Sequence, residues 1–193
     1  MGPCPSMSTH AFTDTAAPPG LLAGHEPYPA IAVDRGWNLV ASNSALGPLI
    51  DGVSRKLLQP PVNCMRLSLH PDGLAPRILN LGEWRTHLLH RLERQIGLTG
   101  NELLRELYDE LASYPGARAP ARDAAGGSGS GAGTEIMAGL RLATEDGDEL
   151  SFFSAVTTFG TAVDITVSEL SIEAFFPADA RTAERLSPLA AVT

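Results

Sequence analysis

Asn63 and Arg66 stand three residues apart in the run PVNCMRLSLH, with Met65 and Leu67 beside them. If the run is helical, that spacing puts both side chains on one face. An arginine on so apolar a surface needs a partner, because an unpaired buried charge is costly. A carboxylate on a bound molecule would serve, gripped by the guanidinium fork with the Asn63 amide assisting. An internal ion pair with Asp164, Glu169 or Glu173 would serve equally, as would exposure to water. Spacing alone does not choose among these.

Other groups point less far. His87 and His90 share a helical face, but no third ligand accompanies them and Arg91 and Arg94 are adjacent, so a solvated face is the simpler expectation and no metal is implied. Asp164 and Glu173 are a conceivable carboxylate pair, with either as a base. No nucleophile, oxyanion loop or cofactor signature stands near them, so no catalytic residue is assigned. His70-Pro71-Asp72-Gly73 reads as a structural turn before it reads as a polar lid. The Gly/Ser/Ala run over 116–134 matches neither dinucleotide nor P-loop spacing and lacks a preceding strand, so a flexible loop is expected.

The elements that would position these residues are legible from periodicity. Around Asp34-Arg35-Gly36, Ile31 and Val33 alternate on one side and Trp37, Leu39 and Ala41 on the other, a tight hairpin. Asn43 is placed to cap a short helix. Helices follow: the 61–70 run, then one from Asn80 and Glu83 (resembling a capping box) whose stripe is Trp84, Leu88, Leu89, Leu92 and Ile96. Another starts at Thr99 with Glu102 and carries Leu103, Leu104, Leu107, Tyr108 and Leu111. Three strands come after the Gly-rich run: GLRLATE, ELSFFSAVTTFG and LSIEAFF. In the last, Leu170, Ile172, Ala174 and Phe176 form the apolar row, leaving Phe175 on the outward side. Pro177 stops it, and Asp179 caps a final helix through Leu186.

Neither a two-strand ribbon nor a three-strand meander can bury its own face. One five-stranded antiparallel sheet, covered by the helices inserted between strands 2 and 3, solves both problems. That α+β arrangement resembles the PAS fold. It predicts that the 29–34 and 170–176 strands are neighbours inside the sheet.

Composition sets the outer limits. The 193 residues are 44% hydrophobic with a net charge of −8, enough for one core without disulfides and unlike a free-standing nucleic-acid binder. Cys4 and Cys64 form no disulfide framework, no signal peptide opens the chain, and no apolar stretch approaches about 18 residues. A cytoplasmic domain over 25–188, between a disordered leader (1–24) and a short tail (189–193), is expected.

Three blocks carry a closer likeness: PYPAIAVDRGWNLVASNSAL, PPVNCMRLSLHPDGLAPRILNLGEWRTHLLHRLERQ and FFSAVTTFGTAVDITVSELSIEAFFPADARTAERL. In this order they resemble the ligand-binding domain of MmyB-like transcription regulators. Such regulators usually join a helix-turn-helix domain of the XRE type to a PAS-like sensor that takes a small apolar molecule, with a fatty acid as the known type. Too few residues precede residue 25 to hold the DNA-reading half, so the resemblance carries over sensing and not direct nucleic-acid binding.

The resemblance implies an apolar slot. Its walls would be Leu67, Trp84 and Leu88 on the helices and, on the long strand, Phe153/Ala155/Thr157 or Phe152/Ser154/Val156. Phe153 and Val156 stand for those two rows among the candidate ligand-binding residues, and Asn63 and Arg66 would form the polar end. No cofactor is implied. Partners would be a small apolar ligand, such as a long-chain acid, and a protein partner or a second copy. A ligand-free dimerisation module is the main rival; a small enzyme using Asp164 or Glu173 is a remoter one.

Overall fold

The computed structural model describes residues 19–116, 139–158 and 170–187. A five-residue helix α1 (Pro19–Ala23) leads into strands β1 (Ala30–Val33) and β2 (Leu39–Ser42). After a 3₁₀ segment (Ser44–Leu49) come α2 (Cys64–Leu69), α3 (Leu81–Thr99) and α4 (Glu102–Ser113). Strands β3 (Leu140–Ala143), β4 (Glu149–Thr158) and β5 (Ser171–Pro177) follow, then α5 (Ala180–Leu186).

The strands form one antiparallel sheet in the order β2-β1-β5-β4-β3. This is the expected α+β, PAS-like arrangement, with α2 to α4 inserted between β2 and β3. β1 and β5 are neighbours inside the sheet, Ala30 opposite Ala174 and Val33 opposite Ser171.

One sheet face meets the helices. Ile31, Val33, Leu140, Leu142, Leu150 and Phe152 pack there against Met65 and Leu69 of α2, Trp84, Leu88 and Leu92 of α3, and Leu104, Leu107 and Leu111 of α4. Fully burying each such side chain contributes about 1.5–3 kcal/mol. The opposite face has its own, smaller core: Ala30, Ala32, Ile172 and Ala174 with Leu22 of α1, flanked by Phe176. Helix α2 divides two clusters, because Met65 and Leu69 are one turn apart while Leu67 points the other way, to Val53 and Val62.

This two-sided burial reverses one expectation. The row Leu170/Ile172/Ala174/Phe176 does not face the helices; its Ile172 and Ala174 lie in the smaller core. Phe175, expected to point outward, turns with Glu173 to the helical side. An alternating pattern marks the inner face only where the other face is wet.

Several caps also differ. Asn43 makes no cap bond; its side chain accepts from Ala30 N at 3.0 Å and donates to Tyr28 O at 2.8 Å, pinning the start of β1. Asn80 likewise leaves its helix uncapped and bonds Gly139 O at 2.7 Å and Arg141 N at 3.1 Å, tying α3 to β3. The break between α3 and α4 falls at Gly100, whose φ of 62° closes α3, and Asn101, not Thr99, caps α4 by accepting from Leu103 N. Asp179 caps α5 as expected, accepting from Thr182 N at 2.7 Å. Trp37 lies outside β2: with φ 66° it sits in the left-handed region, within a turn that the Asp34 carboxylate holds by accepting from Gly36 N and Asn38 N at 2.8 Å each.

Candidate functional site

Between the two clusters that α2 divides lies a cavity of about 80 Å³. The sheet contributes Ile31, Leu39, Leu140, Leu142, Glu173 and Phe175 to its wall. Helix α2 contributes Cys64, Met65, Leu67 and Ser68, and α3 contributes Trp84 and Leu88. Leu46, Leu49 and Ile50 form a lip with Leu74. Arg77 holds that lip, donating to Leu49 O at 2.9 Å and to Asp51 O at 3.0 Å while its Nε reaches Ala143 O.

Among the described residues that line it, the cavity is apolar apart from three groups. Ser68 Oγ accepts from Trp84 Nε1 at 2.8 Å, which fixes the indole against α2. The Cys64 thiol is pushed up to about 12 by burial first, then by the negative charges of Glu173 and Asp34, so it stays a neutral, weakly nucleophilic thiol. The third group is Glu173, whose side chain is 7% exposed.

Glu173 is neutralised from behind. Arg91 Nη1 donates to its Oε1 at 3.1 Å, and the guanidinium lies 4.4 Å from the Trp37 ring centroid. Trp37 Nε1 donates to Gln95 Oε1 at 2.8 Å, and Gln95 Nε2 donates to Arg35 O at 2.9 Å. The left-handed turn thus delivers an aromatic platform for the cation that answers the cavity's carboxylate.

Of the residues singled out from sequence, Leu67, Trp84 and Leu88 line this space. Four do not. Asn63 caps α2, accepting from Arg66 N at 3.1 Å and donating to Gly36 O at 2.8 Å. Arg66 forms the internal ion pair, though with none of the acids proposed for it: its Nε and Nη2 donate to Glu110 at 2.8 and 2.7 Å. Tyr114 also donates to Glu110. The Arg66 bond, ahead of the Tyr114 bond, holds the Glu110 carboxyl below its usual range; burial and then that bond push the Tyr114 phenol up to about 12. Phe153 stacks on Phe176, ring centroids 5.5 Å apart, on the sheet's other face. Val156 is 41% exposed, although its row contains Phe152, which does face the helices.

Arg91 is the residue that sequence reasoning misses. Its neighbours group it with the solvated histidines, yet its side chain is 13% exposed. The signal is there: Trp84, Leu88 and Arg91 run i, i+4, i+7, which places the arginine on the buried stripe. His87 stacks on Trp84, with 5.6 Å between ring centroids. Among the described residues no three His, Cys, Asp or Glu side chains are grouped to hold a metal. Asp164 and Glu169 lie outside the described residues, as does nearly all of the Gly-rich run.

The family model of the MmyB-like transcription regulator ligand binding domain matches residues 16–189. The chain belongs to this family. The match spans nearly the whole of the chain, including every element that lines the cavity. Membership makes the chain a ligand-sensing regulatory domain and places it in a family of regulators rather than of enzymes. No curated protein matches the chain. No helix among the described residues is long and apolar enough to cross a membrane.

Proposed function

We propose that this MmyB-like domain senses a small molecule with an apolar body, held in the cavity between the sheet and α2–α3, and that occupancy is read by a protein partner or a second copy. The observation that carries this is the partly open, almost wholly apolar space bounded by Leu67, Trp84 and Leu88 on one side and Ile31, Leu142 and Phe175 on the other. Its volume of about 80 Å³ accommodates on the order of six water-sized units, at about 10–15 Å³ each. The hydrocarbon tail of a fatty acid fits the apolar walls, but only a segment of a long tail fits at this volume. Six buried methylenes contribute about 5 kcal/mol, near the lower bound of what association costs. The apolar body alone therefore gives weak binding, and the polar end or an opening of the Leu46–Ile50 lip must supply the rest.

Titration with benzene, a probe of matching size, followed by methyl and indole NMR signals, tests the reading. Saturable shifts confined to Leu67, Leu88, Met65 and Trp84, and abolished by filling the space with Leu88→Trp, are expected. Absent shifts, or shifts scattered over the surface, together with no small molecule released from the purified chain on denaturation, would refute it.

A further inference from the structure

The wall chemistry says which kind of polar end the cavity receives. Among the described residues no lysine, arginine or histidine lines it, and the one charged group there is the Glu173 carboxylate. Oε1 of that carboxylate is taken by Arg91 Nη1 at 3.1 Å, while no described residue donates to Oε2. Among the described residues every fully enclosed side-chain polar atom has a hydrogen-bond partner, so Oε2 keeps open surface. Glu173 is itself one of the residues that line the cavity. A carboxylate about nine-tenths buried, on the wall of an apolar space and with one oxygen unclaimed by any described residue, is an acceptor waiting for a donor.

We propose that the ligand is a neutral, apolar molecule bearing a hydrogen-bond donor, a hydroxyl or an N–H, that donates to Glu173 Oε2. The proposal rests on the cavity reading above and sharpens it. Charge balance narrows the class. Arg91 and Glu173 already neutralise one another, so an ionised acid would add an uncompensated negative charge beside Glu173, and an amine an uncompensated positive one. A neutral donor adds neither. The Cys64 thiol reports the same field, since Glu173 follows burial among the causes that push it up to about 12. Arg66, the sequence-based candidate for meeting an acid, pairs with Glu110 and is not among the residues that line the cavity.

Three probes of nearly equal size separate the alternatives: 1-hexanol, its isomer 1-methoxypentane, and hexanoate at pH 8. Each is titrated by calorimetry into wild type, Glu173→Gln, and Arg91→Met/Glu173→Gln; the double variant covers the case in which Glu173→Gln alone leaves Arg91 too poorly paired to fold. Hexanol should bind wild type about tenfold more tightly than the ether, the margin of one charge-assisted hydrogen bond, with hexanoate weakest. In the variants the hexanol advantage should shrink at least fivefold, ether binding should hold, and hexanoate should gain. If the ether matches the alcohol in wild type, or hexanoate binds most tightly, the donor assignment is wrong and the polar end is met by Ser68 and the Cys64 thiol. If hexanol, ether and benzene all fail to bind wild type, the cavity reading itself falls.

Discussion

Removing Arg91 should expose what its partner costs. Arg91→Met keeps most of the aliphatic stem but takes the charge from a pair whose side chains are 13% and 7% exposed. The surviving Glu173 carboxylate would then lie buried with no described donor, a state that costs about 3–5 kcal/mol. The contact 4.4 Å above Trp37 is lost as well, worth about 1 kcal/mol. For a chain of this length the melting temperature should fall by roughly 8–24 °C. Arg91→Met/Glu173→Gln, which removes both charges, should recover at least about 2 kcal/mol of that loss, because a neutral amide is far cheaper to bury than a carboxylate. Urea unfolding of wild type, both single variants and the double variant closes the cycle. Fluorescence is a direct probe, since Trp37 and Trp84 are the two tryptophans and one of them carries the guanidinium. If the double variant is no more stable than Arg91→Met, the Glu173 charge was never the burden and the buried-pair argument is wrong.

Three further outcomes are expected. Gly73→Ala should cost about 1–3 kcal/mol or more, since a Cβ there would stand 2.3 Å from Leu67 O; Gly47→Ala, with nothing within 4 Å, should stay within about 0.5 kcal/mol, and equal losses in thermal melts would refute the contrast. Arg66→Ala should cost at most about 1 kcal/mol, because its pair with Glu110 is 42% and 37% exposed; hexanol affinity should not move, and a clear loss would return Arg66 to the ligand. In a Cys4→Ser background, Cys64 should react with a neutral thiol reagent at pH 8 roughly a thousandfold more slowly than a free cysteine, its rate rising about tenfold per pH unit. Folding keeps that thiol protonated above the ordinary 9.0, so its contribution to stability falls as pH rises from 9.0 toward about 12; a reaction at the free-thiol rate would show the site to be solvated.

Periodicity carried the elements and their pairing. The stripe Trp84, Leu88, Leu92 and the β1–β5 adjacency both follow from apolar rows that local sequence displays. What stayed hidden was which side each row faces. β5 is covered on both faces, so its cleaner apolar row went to the smaller core and the row holding Glu173 went to the cavity. A lone glutamate in a strand looks solvated until its flanks, Ile172, Ala174, Phe175 and Phe176, are weighed together. The asparagines misled for a related reason. Asn43 and Asn80 occupy cap positions but spend their amides on distant backbone, and no local motif encodes a partner dozens of residues away. Arg66 and Glu110, on separate helices, are another case of it.

The place of β5 in the sheet also bears on the order in which the protein is made. β1 precedes β5 by the length of the domain, and half of its hydrogen bonding waits for β5, since Ala30 pairs with Ala174. Until then β1–β2 and β3–β4 are separate ribbons, while α2, α3 and α4 are already complete with Trp84, Leu88 and Leu92 uncovered by half the sheet they need. Contacts so distant along the chain form slowly, and the exposed stripe is open to wrong partners in the interval. A fragment ending before residue 170 is accordingly no smaller edition of the domain: the strand that makes two ribbons into one sheet, and that carries the cavity's carboxylate, arrives near the end.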